Sequence, residues 1–457
     1  MDTKQVMNID ILFFDKNLNN KEKFIKDPDA FDEYIKTHKF DSKNKKILLM
    51  PGSLSSNGNK TILVLSEDSP KIDYQELGYS IGKNIKDDAT IDILNFEGNK
   101  EMLTLGIMFS QYQFETYKSK KGEDNVELTF SDSLDVESNT IKQEAVFWVR
   151  DMINTPSLDK TPEFFIEEIK NLNSDINLQI YDQDWLEKNN FGAVLGVAKG
   201  SERSPYLVVG EYNKNADIQI ALIGKGVMFD SGGLSLKSPS GMDTMKTDMA
   251  GAATAWGVMS LISKLQINIG LTVYTPIVEN MPSGSAIRPG DVLKARNGKT
   301  IEVLNTDAEG RLIMADALAY AAESKPDLIC DVATLTGASY VALGLDIGAV
   351  FSNNKNTEEN FIKSTEQSGE NFYPLPLHSD YKKLIESDIA DMKNTGGRFG
   401  GAITAALLLE NFIDDLDWIH LDIAGPARAS NRKGATGFSV LTLFEFFKTF
   451  SKNQSES

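Results

Sequence analysis

Four short apolar runs, 218–224, 270–276, 328–332 and 418–423, are separated by Ala-rich stretches at 250–265, 311–324 and 402–412. The runs are apolar nearly throughout rather than alternating, which suits strands buried on both faces. The Ala-rich stretches between them have helical length and composition. A sheet buried on both faces needs helices on both faces to cover it. The alternation therefore predicts a large α/β domain with a central mixed sheet flanked by helices.

The first third is built on a smaller scale. Strands are expected at 10–14, 46–50, 61–66 and 90–96, with helices at 74–85 and 101–117. This predicts a small α/β N-terminal domain. The polar, charged segment 118–139, with one strand at 126–130, marks the boundary. The two domains are read as 1–138 and 139–457.

The formal net charge is −19, from 47 Lys and Arg against 66 Asp and Glu. Nucleic acid and anionic membrane surfaces both need a positive footprint, so neither is expected as a partner. No stretch reaches the ~20 apolar residues of a membrane span. The N-terminus lacks the basic segment and long apolar run of a secretory signal, so a cytoplasmic location is expected. The single cysteine, Cys330, excludes an internal disulfide and any Cys-rich zinc site. The three histidines, His38, His378 and His420, are far apart, so a catalytic metal would depend on carboxylates.

Three glycine-bracketed segments put charge where a buried sheet should have none. Lys225 follows the apolar run 221–223 after Gly224, at the C-terminal end of a strand, where open α/β sheets place ligand sites. Asp230 falls in the loop after it. Asp248 precedes the helix at 250–265, and Asp307 and Glu309 precede the helix at 311–324. On extended backbone, residues two apart point the same way, so Asp307 and Glu309 can aim at one point. Each residue alone has an ordinary reading. Asp248 and Asp307 are then helix N-caps, Glu309 a first-turn carboxylate, and Lys225 a side chain reaching solvent. Together the four carboxylates would repel one another unless about four positive charges met them, which two divalent ions supply. Oxygen donors without His or Cys suit Mg²⁺ or Mn²⁺ and permit Zn²⁺. Lysine ligates only as a neutral amine, so ligation by Lys225 would need its pKa driven far down by burial and by the metal. His420 and Cys330 lie in apolar runs and are read as buried structural residues.

With these segments the chain resembles the leucyl aminopeptidase, or cytosol aminopeptidase, family. NTDAEGR at 305–311 is the family's signature. GKGVMFDSGG, LKSPSGMDTMKTDMAGAA, SGSAIRPGDVL, DVATLTGA, NTGGRFGGAITAALLL and WIHLDIAGPA also match, in order, across the C-terminal two-thirds. The first third matches more weakly, mainly at SQYQFETYKSKK, 110–121. Met228 and Leu441 stand where the family commonly has Thr and Arg, and neither touches an expected ligand.

The resemblance implies a metallo-exopeptidase with two divalent ions per subunit, Mn²⁺ or Zn²⁺, with Mg²⁺ and Co²⁺ as further candidates. Asp230 and Glu309 would bridge both ions. Asp307 would complete one, and Lys225 and Asp248 the other. Lys237 and Arg311 match two catalytic positions that are not ligands. Lys237 would stabilise the oxyanion, and Arg311 would hold a bicarbonate acting as general base. Among the substrate-binding positions, Met245, Thr334, Gly337 and Ala435 resemble the lining of a Met-lined pocket suited to Leu and Met side chains, and Leu335 and Gly337 would offer backbone hydrogen bonds to the substrate. The implied substrates are peptides with a free N-terminus, and the implied assembly is a homohexamer. Two other readings draw on the same features. A two-metal phosphoesterase is disfavoured by the lysine and by NTDAEGR, and a DNA-binding or interaction protein is disfavoured by the net charge.

Overall fold

The structure is a computed structural model that describes residues 6–15, 18–41, 46–65, 73–120, 126–131, 135–172, 175–428 and 434–455. The chain divides into two compact units, Met1–Gln143 and Glu144–Ser457. The division falls within the helix Val136–Asn154. The segment 118–139, where sequence places the boundary, lies partly outside the described residues.

The first unit holds a five-stranded sheet in the order Ile47–Met50, Lys60–Leu65, Met7–Phe14, Ala89–Leu94, Leu128–Phe130. All neighbours are parallel except the first pair. Successive side chains point to opposite faces, and both faces are buried. Ile9, Ile11 and Phe13 join Ile62, Val64 and Ile91 on one face, while Leu12 and Phe14 join Leu48, Met50, Leu63 and Leu65 on the other. The helix expected at 101–117 closes early, as Lys100–Phe109. Ser110 ends it: its N–H meets the Gly106 and Ile107 carbonyls, and its hydroxyl donates back to Ile107 at 2.6 Å.

The second unit carries the larger mixed sheet. Among the described residues its order is Phe372–Pro374, Gly348–Ser352, Trp418–Asp422, Leu328–Ala333, Gln219–Gly224, Gly270–Asn280, Tyr206–Tyr212, Asn177–Tyr181. The four apolar runs singled out in the sequence are the four central strands, and they are mutually parallel. Antiparallel pairing begins outside them. The helix Ala250–Lys264 covers one side of the central strands, and Gly310–Ala322, Gly192–Ala198 and Gly401–Leu409 pack together on the other. A small separate sheet of Val292–Lys294, Thr300–Glu302 and Met392–Lys393 holds the 303–309 segment beside Asn394. The central strands end on one edge, which delivers Lys225, Thr334 and Asp422 to the same region. Among the described residues, no helix is long and apolar enough to cross a membrane.

Candidate active site

The strand Gln219–Gly224 is interrupted at Lys225 and the chain resumes as the strand Gly226–Asp230. Asp230 therefore ends a strand and does not lie in a loop as the sequence suggests. The cause is the length of Gly270–Asn280. Its first half pairs with Gln219–Gly224, and its second half offers an edge to 226–230. Gly232 and Gly233 follow with φ of +86° and +61°, a left-handed turn that glycine makes without a side-chain clash. The turn folds the chain back so that Lys237 faces the carboxylates.

Asp307 and Glu309 converge, but not because the backbone is extended. Residues 305–309 form a turn in which Asn305 Oδ1 accepts from Asp307 N at 2.9 Å and the Asn305 carbonyl accepts from Ala308 N at 3.2 Å. Asn394, fully buried, locks this turn. Its Oδ1 accepts from Leu304 N at 2.9 Å and Asn305 N at 3.3 Å, and its Nδ2 donates to the Asn305 and Ala308 carbonyls at 2.6 and 3.3 Å. Thr306 ties the turn to the glycine loop, donating to the Gly232 carbonyl at 2.6 Å and accepting from Ser235 N at 2.7 Å.

The helix-cap readings do not hold. Met249 and Glu309 occupy the cap positions of Ala250–Lys264 and Gly310–Ala322, and no side-chain cap bond forms at either. The acidic side chains turn instead to one another and to two lysines. Lys225 Nζ lies 2.7 Å from Asp248 Oδ1 and 3.0 Å from Glu309 Oε1, and it donates to the Thr334 carbonyl at 2.9 Å. Lys237 Nζ lies 2.8 Å from Asp230 Oδ2 and also pairs with Asp307. Asp230 Oδ1 accepts from Gly232 N and from Asn280 Nδ2, both at 2.8 Å. Asp248 Oδ1 accepts a second bond, from Thr334 Oγ1, at 2.9 Å. Gly310 makes room for Lys225: a Cβ there would lie 2.5 Å from the lysine Cε and 2.7 Å from its Nζ.

Four carboxylates thus face two ammonium groups, an excess of negative charge in a buried place. Burial pulls the Lys225 ammonium down, but Asp248, Glu309 and Asp230 outweigh it and hold the group above the ordinary lysine range. Burial and the neighbouring carboxylates push Asp230 and Asp248 up, against the pull of the lysines. Burial also raises Asp307. Such a cluster is short of positive charge, which is the condition a divalent pair relieves.

The residues fit that role on two further counts. Asp230, Asp307 and Glu309 each present an oxygen, and these oxygens all lie within 4.8 Å of one another. Asp248 Oδ2 and Glu309 Oε2 are buried without a hydrogen-bond partner, and buried carboxylate oxygens normally have one. An ion there would relieve the excess negative charge that raises Lys225, which is what ligation by its neutral amine requires.

Arg311 is buried at the start of Gly310–Ala322 and donates through Nη1 to the Asn394 carbonyl at 2.9 Å. Its Nε has no partner. Burial pulls the guanidinium down to about 10, opposed by Glu309 and Asp422, so it stays charged at neutral pH.

The expected substrate-binding residues are placed unevenly. Thr334 is joined directly to Asp248. Met245 opens the short turn Met245–Thr247 that leads into Asp248. The Leu335 N–H is already engaged, donating to Asp422 Oδ1 at 3.2 Å, and Thr336 Oγ1 donates to Asp422 Oδ2 at 2.6 Å. Gly337 begins the helix Gly337–Leu343 and is exposed. Ala435 is buried and donates its N–H to Asn154 Oδ1 at 3.0 Å. His420 and Cys330 are both buried, with His420 Nδ1 2.6 Å from Asp331 Oδ1. Sequence reading missed Asn280, Asn394 and Asp422 as organisers. Asn280 and Asp422 each close an apolar strand with a polar residue, and that signal was available.

A carboxylate-lined site at the C-terminal edge of a mixed α/β sheet, with two lysines and a buried arginine, has the donor set of a metal-dependent enzyme. Comparison with known proteins makes the class specific. The model of the cytosol aminopeptidase family's catalytic domain matches residues 147–444. A probable cytosol aminopeptidase of Syntrophotalea carbinolica is 44% identical over 370 residues, covering 76% of this chain and 74% of the relative. The solved cytosol aminopeptidase of Coxiella burnetii superposes with a TM-score of 0.86 at 30% identity, covering 98% of both chains. The bottromycin maturation enzyme BotP, solved in complex with Mn, superposes with a TM-score of 0.88 at 28% identity, covering 98% of this chain and 100% of that one. The chain belongs to the cytosol aminopeptidase family, whose members are dinuclear metal enzymes that hydrolyse N-terminal residues from peptides. It is an aminopeptidase.

Proposed function

We propose that this enzyme removes Leu- or Met-like residues from the N-terminus of peptides, using the site assembled in residues 139–457, which we read as the catalytic domain. The observation that carries this reading is the convergence of Asp230, Asp307 and Glu309 oxygens within 4.8 Å beside unpartnered oxygens of Asp248 and Glu309. Asp230, Glu309, Asp307, Lys225 and Asp248 are the residues that would hold two divalent ions. When bound, such a pair supplies the Lewis acidity that makes water nucleophilic at neutral pH.

This chain's own residues supply the rest. Asp248 offers a carboxylate to the free α-amine of the substrate, and an internal peptide bond has no amine to present. Lys237 is held as an ammonium, its pKa raised because Asp230 and Glu309 outweigh burial. A fixed positive charge is what a developing oxyanion needs. Arg311 keeps a free Nε donor in a buried setting, and its planar fork suits a bicarbonate able to accept a proton. Thr334, Met245, Gly337 and Ala435 are the positions we assign to the first side-chain pocket, and Leu335 and Gly337 those whose backbone would hydrogen-bond the substrate. An apolar pocket favours Leu and Met because burying such a side chain contributes roughly 1.5–3 kcal/mol. The family's name supports a cytosolic location. A homohexamer is the assembly we expect, and light scattering on the purified protein tests it.

The deciding experiment strips the metal, restores Mn²⁺, Zn²⁺, Co²⁺ or Mg²⁺ separately, and offers leucine anilide beside a phosphomonoester. Cleavage of the anilide alone, restored by metal, is the expected result. Cleavage of the phosphomonoester alone would replace this reading with a phosphoesterase. Bicarbonate should speed the wild type and not Arg311→Ala. If the variant kept full turnover in bicarbonate-depleted buffer, Arg311 would lose its assigned role.

A further inference from the structure

Lys160 has no exposed surface at all. A fully buried lysine is rare unless something compensates the ammonium, and here backbone oxygens do so. Its Nζ donates to the Met152 carbonyl at 2.9 Å and the Lys246 carbonyl at 2.7 Å, with the Ile153 carbonyl at 3.5 Å. Met152 and Ile153 lie in the last turn of the helix Val136–Asn154, where carbonyls lack helical partners and the helix dipole favours a cation. Lys246 returns the contact, donating its own ammonium to the Asn154 carbonyl. The same helix end also holds Ala435, because Asn154 Oδ1 accepts from Ala435 N at 3.0 Å. Burial and the nearby Lys246 charge hold the Lys160 amine well below the ordinary lysine range.

The Lys246 carbonyl is the middle of the short turn Met245–Thr247. Asp248 follows directly, its N–H bonded to the Met245 carbonyl at 3.3 Å. Whatever fixes Lys246 therefore fixes Met245 on one side and Asp248 on the other. We propose that Lys160 is a positioning residue of the aminopeptidase site, clasping the 245–248 segment to the end of Val136–Asn154 so that Asp248 stands beside Lys225 and Thr334. The proposal deepens the functional reading above and rests on its assignment of Asp248.

The test uses the full-length protein and Mn²⁺ alone as probe. Free Mn²⁺ is followed by electron paramagnetic resonance during titration of the metal-stripped wild type, Lys160→Met, Lys160→Gln and a control, Phe446→Leu, in the C-terminal helix Val440–Ser455. Outer-shell partners of metal ligands typically change affinity about 10- to 100-fold. The expected result is that Lys160→Met weakens one Mn²⁺ equivalent by about tenfold or more and leaves the other unchanged, with Lys160→Gln intermediate. The control should lower the melting temperature without splitting the two equivalents. If Lys160→Met does not fold, Lys160→Gln carries the same comparison. Two unchanged equivalents in the folded variant, or an equal split in the control, would overturn the proposal. A wild type that binds no Mn²⁺ would instead overturn the functional reading beneath it.

Discussion

Asn394→Ala isolates the device that aims two of the four carboxylates. The asparagine amide serves four backbone groups of the 304–308 turn and is fully buried. Alanine leaves Leu304 N and Asn305 N without their acceptor and the Asn305 and Ala308 carbonyls without their donor. The bond to the Ala308 carbonyl is the buried one, and a buried group left unsatisfied costs about 1–3 kcal/mol, so it alone sets a loss of about 1–3 kcal/mol before relaxation. The Arg311 contact is an internal control, since it uses the Asn394 backbone carbonyl, which alanine retains. Relaxation of the turn moves Asp307 and Glu309, and a displacement of about 1 Å at a reacting centre can cost about 100-fold in rate. Asn394→Asp keeps the acceptor and replaces the donor by a second acceptor facing two carbonyls, so it should fail by the donor half alone. Urea unfolding, read as a fall in midpoint at constant slope, measures the first quantity. Turnover of leucine anilide in saturating metal measures the second. If Asn394→Ala stayed within about 0.5 kcal/mol of wild type and kept its turnover, the claim that this amide organises the site would be wrong.

Gly310→Ala should separate stability from activity. Alanine is the better helix former by about 1 kcal/mol, yet its Cβ would press on a Lys225 side chain held by three partners. A retained or raised melting temperature with turnover down about 100-fold is expected, and undiminished turnover would show that Lys225 has room to move. Asp316 caps the helix Gly192–Ala198 through Ala193 N and Val194 N, both at 2.9 Å, and also accepts from Arg296 N at 2.8 Å. Burial pushes its carboxyl up to about 7, above the ordinary 3.8, despite those donors. The native state therefore keeps a proton that the unfolded chain releases between those values. This contribution to stability is full below about pH 3.8 and lost as the pH rises through about 7. Asp316→Asn should remove that downward slope from the stability curve between pH 5 and 8, and an identical slope in both proteins would refute the assignment. Cys330 is fully buried and burial pushes its thiol up, so a thiol reagent should label the chain only on unfolding. Rapid labelling of the native enzyme would contradict its place in the sheet.

Much of this protein follows from sequence alone. The four apolar runs, 218–224, 270–276, 328–332 and 418–423, became the four central parallel strands because a chain apolar on both faces has few other places to go. The charged residues that interrupt those runs marked the site, since a charge at the end of a buried strand needs a partner. What only the tertiary structure decided is how those charges are aimed. Asp230 became a strand residue because the distant Gly270–Asn280 offered it an edge. Asp307 and Glu309 converge on a turn held by an asparagine 89 residues away from Asn305. Lys160, within an unremarkable stretch of sequence, meets the Lys246 carbonyl 86 residues further on. Side-chain type and local spacing record what a residue can do chemically. Hydrogen bonds between segments so far apart in the chain exist only once the sheet has brought them together, so the orientation of the site is written in the fold.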